Sequence, residues 1–108
     1  MTKPVRTTRL AELQILEIDA WWREHREKAP DLFEQELAAA LETIGSAPGA
    51  GKRYPHQRGD VRRLALRSTR NHIYDVESPD YVLVVAVWGG IKGTGPDLST
   101  LPGDESRD

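Results

Sequence analysis

The chain has 108 residues, with 15 Lys and Arg against 17 Asp and Glu, three His and no Cys. That length suits one domain, able to bury roughly two-thirds of the surface its unfolded chain exposes. The lack of cysteine removes disulfides, thiolate nucleophiles and Cys-ligated metals; the longest apolar run, Tyr81 to Trp88, falls well short of the roughly 20 residues of a membrane helix.

Val5–Thr7 reads as a short N-terminal strand. The basic residues around it, Lys3, Arg6 and Arg9, precede nothing that resembles a signal peptide, so the chain is expected in the cytoplasm and off the membrane. Ala11, Ile15, Ile18, Trp22 and His25 recur at steps of three and four and predict a helix over 9–28 with Thr8 as its cap, widened on its apolar side by Leu13, Leu16 and Ala20. Pro30 suits the first position of a second helix, whose stripe is Phe33, Leu37, Ala40, Leu41 and Ile44 and which Gly45 and Pro48 are expected to stop. The link is short, which predicts an antiparallel helical hairpin. Residues 47–60 have the Pro, Gly and basic texture of a surface loop. Three strands follow: Val61–Arg67, Asn71–Glu77 and the wholly apolar Tyr81–Trp88, in the manner of a strand covered on both faces. Short loops between them favour an antiparallel meander. The expected architecture is therefore α+β: a helical hairpin packed on one face of a small, mainly antiparallel, twisted sheet of three to four strands. One domain is expected over 1–98, with a polar, loose tail over 99–108.

Charge is distributed in blocks. The helical region 10–47 carries nine acids against Arg23, Arg26 and Lys28, whereas 52–72 carries Lys52, Arg53, Arg58, Arg62, Arg63, Arg67 and Arg70 against Asp60 alone. Either the blocks neutralise each other across the fold, or the basic one meets an anionic partner. The first account is expected to hold for Arg53 and Arg67, the second for Arg62 and Arg70.

There is no Gly-rich phosphate loop, no Gly-x-Ser-x-Gly and no His-Glu-x-x-His. His25, His56 and His72 fall on a helix, a loop and a strand without ligand spacing, so no metal and no cofactor is expected. The set with chemical potential is Arg62, Arg63, Arg67, Arg70, His72 and Tyr74, expected on one patch of adjacent strands, with Trp88 and Lys92 after the last strand. Arg grips phosphate bidentately, and Tyr and Trp stack or fill pockets. His72 can move a proton near neutral pH, with Tyr74 or Lys92 as a second group. Trp21 and Trp22 cannot both face the core, because adjacent helical residues diverge by about 100°; Trp22 continues the main stripe, so Trp21 is the expected exposed anchor.

The order of parts now carries a resemblance. A basic N-terminal strand, a helical hairpin with Trp21-Trp22 and Ala29-Pro30-Asp31-Leu32-Phe33, the Pro48-Gly49 loop, and then Val61-Arg62-Arg63-Leu64-Ala65-Leu66, Thr69-Arg70-Asn71-His72-Ile73-Tyr74 and Val84-Val85-Ala86-Val87-Trp88 resemble the ParE/RelE superfamily of toxins from type II toxin–antitoxin (plasmid stabilisation) systems. The resemblance covers about residues 4–98 and is closer to the ParE-like branch, with Pro96-Asp97-Leu98 after the basic residue.

It implies a small toxin neutralised by a cognate antitoxin and acting by binding a target protein such as DNA gyrase, with no chemistry of its own. The alternatives are a ribosome-dependent mRNA endoribonuclease of RelE type, with Arg62, His72, Tyr74 and Lys92 as its catalytic set, and a non-toxic partner in an autorepressor complex. Arg62, Arg63, Arg70 and Trp88 are the expected target- or anion-binding residues, and Leu10, Leu13, Leu16 and Trp21 the expected antitoxin-binding face. Assembly as a homodimer, or with the antitoxin as a heterotetramer, is expected. Trp88-Gly89-Gly90-Ile91-Lys92 lacks the imidazole that relatives place after this Trp, which favours the non-enzymatic reading. Asp75 replaces a second Tyr, which suggests a one-residue deletion or a bulge.

Overall fold

The computed structural model describes residues 2–54 and 60–89. Lys92, the expected tail over 99–108 and His56 lie outside these. The elements are β1 (Val5–Thr7), α1 (Arg9–His25), α2 (Leu32–Ser46), β2 (Lys52–Arg53), β3 (Val61–Leu66), β4 (Asn71–Glu77) and β5 (Val82–Gly89). Among the described residues no helix is long and apolar enough to cross a membrane.

The strands form one sheet in the order β1-β5-β4-β3-β2, antiparallel except for the parallel β1–β5 pair. It has five strands, one more than the largest number expected. The addition is β2, two residues inside the segment read as loop, paired as Lys52 with Arg63 and Arg53 with Arg62.

Thr8 caps α1 as expected: its hydroxyl accepts the Ala11 N–H at 3.1 Å. It also donates to the Val85 carbonyl at 3.3 Å, while Gln14 Oε1 accepts the Val87 N–H at 2.8 Å. The start of α1 thus satisfies the backbone of β5 where the three-residue β1 has ended. The helix stops at His25, three residues before the predicted end. The chain turns there because the Ala29 carbonyl is held by Trp22 Nε1 at 2.7 Å, ahead of Pro30. Gly45 does not stop α2, which runs on to Ser46. A Cβ at Gly45 would sit 3.0 Å from the Lys3 carbonyl oxygen and 3.3 Å from Val5, so the glycine lets the N-terminal segment lie against the helix; the Lys3 N–H donates to the Gly45 carbonyl at 2.9 Å.

Both helices cover one face of the sheet. Ala11, Phe33, Leu37, Ala40 and Ile44 pack on Leu66, Ile73, Val82, Val84 and Val87, joined by Ile15, Ile18, Trp22 and Leu64. A second cluster lies on the opposite face: Val61, Tyr74, Val76, Leu83, Val85 and Ala86, with Tyr54, Tyr81 and Trp88 against it. Every residue of β5 from Val82 to Val87 is buried, as its unbroken apolar run predicts. The expected irregularity is present: Tyr74 pairs with Ala86 but Asp75 with Val84, leaving Val85 as the extra residue. Consecutive Val85 and Ala86 therefore both join the second cluster, and alternation resumes with Val87 on the helical face.

Candidate functional site

Strand alternation and register divide the expected arginine–histidine–tyrosine patch. Arg62 is paired with Asp75 and lies on the helical face, two residues along β3 from the Leu64–Ile73 pair; Arg63 is paired with Tyr74 and lies on the far face. His72, two residues before Tyr74, shares the far face and is paired with Trp88 on β5 and Ala65 on β3. The expectation that Arg62 stands beside His72 and Tyr74 is corrected: adjacent strand residues point to opposite sides, so Arg62 and Arg63 cannot serve one site. Arg62 is half-buried and donates from Nη1 to the Gly51 carbonyl at 3.1 Å, tying β3 to the start of β2. Gly51 itself must stay small, since a Cβ would meet the Arg63 carbonyl oxygen at 3.1 Å.

On the far face, the Tyr54 and Tyr74 rings meet edge-on with centroids 4.9 Å apart, and the Arg63 guanidinium lies 5.4 Å from the Tyr54 centroid. Tyr74 is only 2% exposed. Burial raises its hydroxyl pKa, against the opposing pull of Arg63, so it is a neutral phenol. His72 is half-buried with its ring centroid 6.4 Å from that of Tyr74. Burial, and then the charge of Arg63, lower its pKa, so the imidazole is neutral at physiological pH. Among the described residues no carboxylate hydrogen-bonds His72 to orient it, and none of the described His, Cys, Asp and Glu side chains form a group of three able to hold a metal ion. The face can bind through Arg63, His72 and the edge of Trp88. Among the described residues it holds no paired acid and base.

Arg70 stands apart from this face. It ends the turn between β3 and β4, exposed, with φ of 61°, a left-handed conformation uncommon for a residue with a side chain. Glu36 on α2 holds this turn: its carboxylate accepts the Ser68 N–H at 2.7 Å, the Thr69 N–H at 3.0 Å and the Thr69 hydroxyl at 2.6 Å. Burial alone raises the Glu36 pKa, but these bonds together outweigh it and hold the carboxyl below its ordinary value. The sequence contains no signal for this role, because Glu36 has the spacing of any helix-surface acid.

The helical layer carries the second candidate surface. Leu10, Leu13, Leu16 and Trp21 are 40%, 56%, 66% and 43% exposed and are the exposed large hydrophobics of the described chain. Leu13 and Leu16 do not widen the side of α1 that meets the sheet, as their spacing first suggests; at about 100° per residue Leu13 stands some 200° around from buried Ala11. Trp21 is exposed as expected. It stacks on His25 of its own helix at 4.5 Å and 12°, with the Arg26 guanidinium 5.2 Å from its centroid. Trp22 points inward.

Two comparisons place this arrangement. A family model described as the ParE toxin of type II toxin-antitoxin system, parDE, matches residues 5–91. The chain belongs to the ParE toxin family. Its fold is also similar to a solved structure, the chromosomal ParDE TA system from P. aeruginosa, with a TM-score of 0.67 at 16% identity, over 82% of this chain and 96% of that one. No curated protein matches the chain. As a ParE-family protein it is a toxin of a type II toxin–antitoxin system. The helical hairpin and mostly antiparallel sheet expected from sequence are those of this fold.

Proposed function

We propose that this ParE-family toxin acts by binding a target protein, DNA gyrase, and that a cognate antitoxin neutralises it by docking on the exposed face of α1. The separation of Arg62 from His72 and Tyr74 by the thickness of the sheet carries the first half. Cleavage of RNA at a ribose 2′-hydroxyl needs a base, an acid and a phosphate-gripping cation within reach of one another. Here Arg62 is spent on Gly51, Tyr74 is buried, and among the described residues no carboxylate orients His72.

The antitoxin half rests on Leu10, Leu13, Leu16 and Trp21. A stripe of apolar side chains along about three turns of helix, one of them a Trp, suits a segment that folds on binding and lays its own apolar side on α1. Such segments gain their stability from the surface they cover.

The experiment is a gyrase supercoiling assay with the purified chain, run beside an mRNA cleavage assay in a translation extract. Inhibition of supercoiling, or accumulation of gyrase-cleaved DNA, at micromolar protein is the expected result, reversed when the antitoxin is added. Cleaved messenger with unaffected gyrase overturns the proposal in favour of the nuclease alternative; unimpaired growth of bacteria expressing the chain alone points to the non-toxic one.

A further inference from the structure

Among the described residues no side-chain ion pair joins the acidic block of the sequence to the basic one. Among the described residues the ion pairs are Lys3 with Glu77, and Arg23 with Asp19, Asp31 and Glu34. Glu36, the helical acid that reaches the basic segment, binds the backbone and hydroxyl of Ser68 and Thr69, not a guanidinium. Arg53 and Arg67, expected to be neutralised by helical acids, have no such partner among the described residues, and neither do Lys52 and Arg70. All four are exposed.

Topology gathers them. Lys52 and Arg53 form β2 at the rim of the sheet, Arg63 sits on the adjoining strand as the register partner of Lys52, and Arg67 and Arg70 occupy the turn at the other end of β3. Arg63 to Arg67 is about 13 Å along the chain at 3.3 Å per residue, a length over which duplex DNA presents roughly eight backbone charges. Glu36 is the helical acid at this turn and offsets part of its positive charge, while screening over about 8–10 Å at ordinary salt limits the reach of the acids elsewhere on the helices.

We propose that this rim, Lys52, Arg63, Arg67 and Arg70, without Arg53, which shares the opposite face with Arg62, is a binding site for the phosphate backbone of duplex DNA. Single-stranded RNA or DNA would need free ring faces to stack on. Beside the rim, Tyr74 is buried, Tyr54 is engaged by the Tyr74 ring and the Arg63 guanidinium, and His72, opposite Ala65, is half-buried with its ring tilted toward that of Tyr74. What remains is backbone contact by cations on a projecting two-stranded turn, whose position Glu36 fixes. The site goes beyond the toxin reading and does not depend on it, because the chain alone carries it.

The test is the fluorescence anisotropy of a short labelled DNA duplex titrated with the full chain, without gyrase, between about 50 and 200 mM salt. Four phosphate contacts predict a log–log salt slope of about −4, and the Arg67→Ala/Arg70→Asn pair should weaken binding at low salt about tenfold or more and flatten the slope by about two. Asn is chosen at 70 because it tolerates the left-handed backbone. Arg9→Ala, at the start of α1, should leave affinity unchanged. A slope near zero, an unchanged affinity in the double variant, or tighter binding of single-stranded RNA overturns the proposal. If the double variant fails to fold, the slope of the natural chain still decides. DNA binding without gyrase inhibition would overturn the target proposed above and leave this site standing.

Discussion

The Glu36 carboxylate and the Thr69 hydroxyl meet at 2.6 Å, joining the middle of α2 to the turn between β3 and β4. With the two backbone N–H groups of Ser68 and Thr69 on the same carboxylate, this is the contact by which the helical layer sets the position of Arg67 and Arg70.

Glu36→Ala should cost about 1–3 kcal/mol, as the loss of charge-assisted hydrogen bonds does, measured by urea unfolding. The sign with pH follows from the lowered carboxyl: its contribution is present above the unfolded carboxylate pKa and is lost as pH falls through the lower folded one. Amide exchange at Ser68 and Thr69 should quicken in the variant; unchanged exchange would show that the turn holds itself.

Asp75 predicts the opposite dependence. It is 1% exposed on the helical face, with Oδ1 unpartnered among the described residues. Burial raises its pKa from 3.8 to about 7, against the attraction of Arg62 and with Glu77 adding to the rise. The folded state thus binds this proton more tightly than the unfolded state. Stability from this group is full below about pH 4 and lost as pH rises through about 7, by an amount on the order of a few kcal/mol. Asp75→Asn should abolish that part of the slope between pH 4 and 8 in thermal melts. An identical slope in the variant would place the titration elsewhere.

On the exposed side of α1, Leu13→Ser with Leu16→Ser should change unfolding free energy by no more than about 0.5 kcal/mol per site, since neither side chain is in the core. Antitoxin affinity measured by calorimetry should fall about tenfold or more. Retained affinity would move the antitoxin to another surface.

Gly45→Ala tests the approach of the N-terminal segment. Alanine favours the helix by roughly 1 kcal/mol over glycine, yet its Cβ would press on the Lys3 carbonyl at 3.0 Å. We expect net destabilisation of about 1–2 kcal/mol by urea unfolding. A gain in stability would show that residues 2–5 move aside freely.

Much of this fold was legible because its periodicities are strong. Ala11, Ile15, Ile18 and Trp22 mark the buried side of α1, and the apolar run of β5 announced burial on both faces. Leu13 and Leu16 read by spacing as widening that side of α1, but rotation of about 100° per residue carries them to the exposed face, where the sequence also sets them with Leu10 and Trp21. The strand β2 was invisible: Lys52 and Arg53 are paired by the register of β3, not by any property of their own. Nearness in sequence suggests one patch for Arg62 and Arg63, whereas strand alternation opposes them: Leu64 and Leu66, two and four residues on, mark the side of Arg62 as the helical one. Glu36 and the unpaired state of Arg53 and Arg67 depend on which helix turn meets which loop, a tertiary fact that no local pattern encodes.

The contacts of Thr8 and Gln14 with Val84, Val85 and Val87 bear on self-association. Open-ended growth of a sheet into fibres needs two competent rims on each molecule, and here the start of α1 occupies the groups of β5 that three-residue β1 leaves uncovered, so that rim is reduced to Val5–Thr7. So short a strand is a poor template for another chain, and at the opposite rim two copies would set Lys52 and Arg53 against like charge, so both ends of the sheet resist propagation.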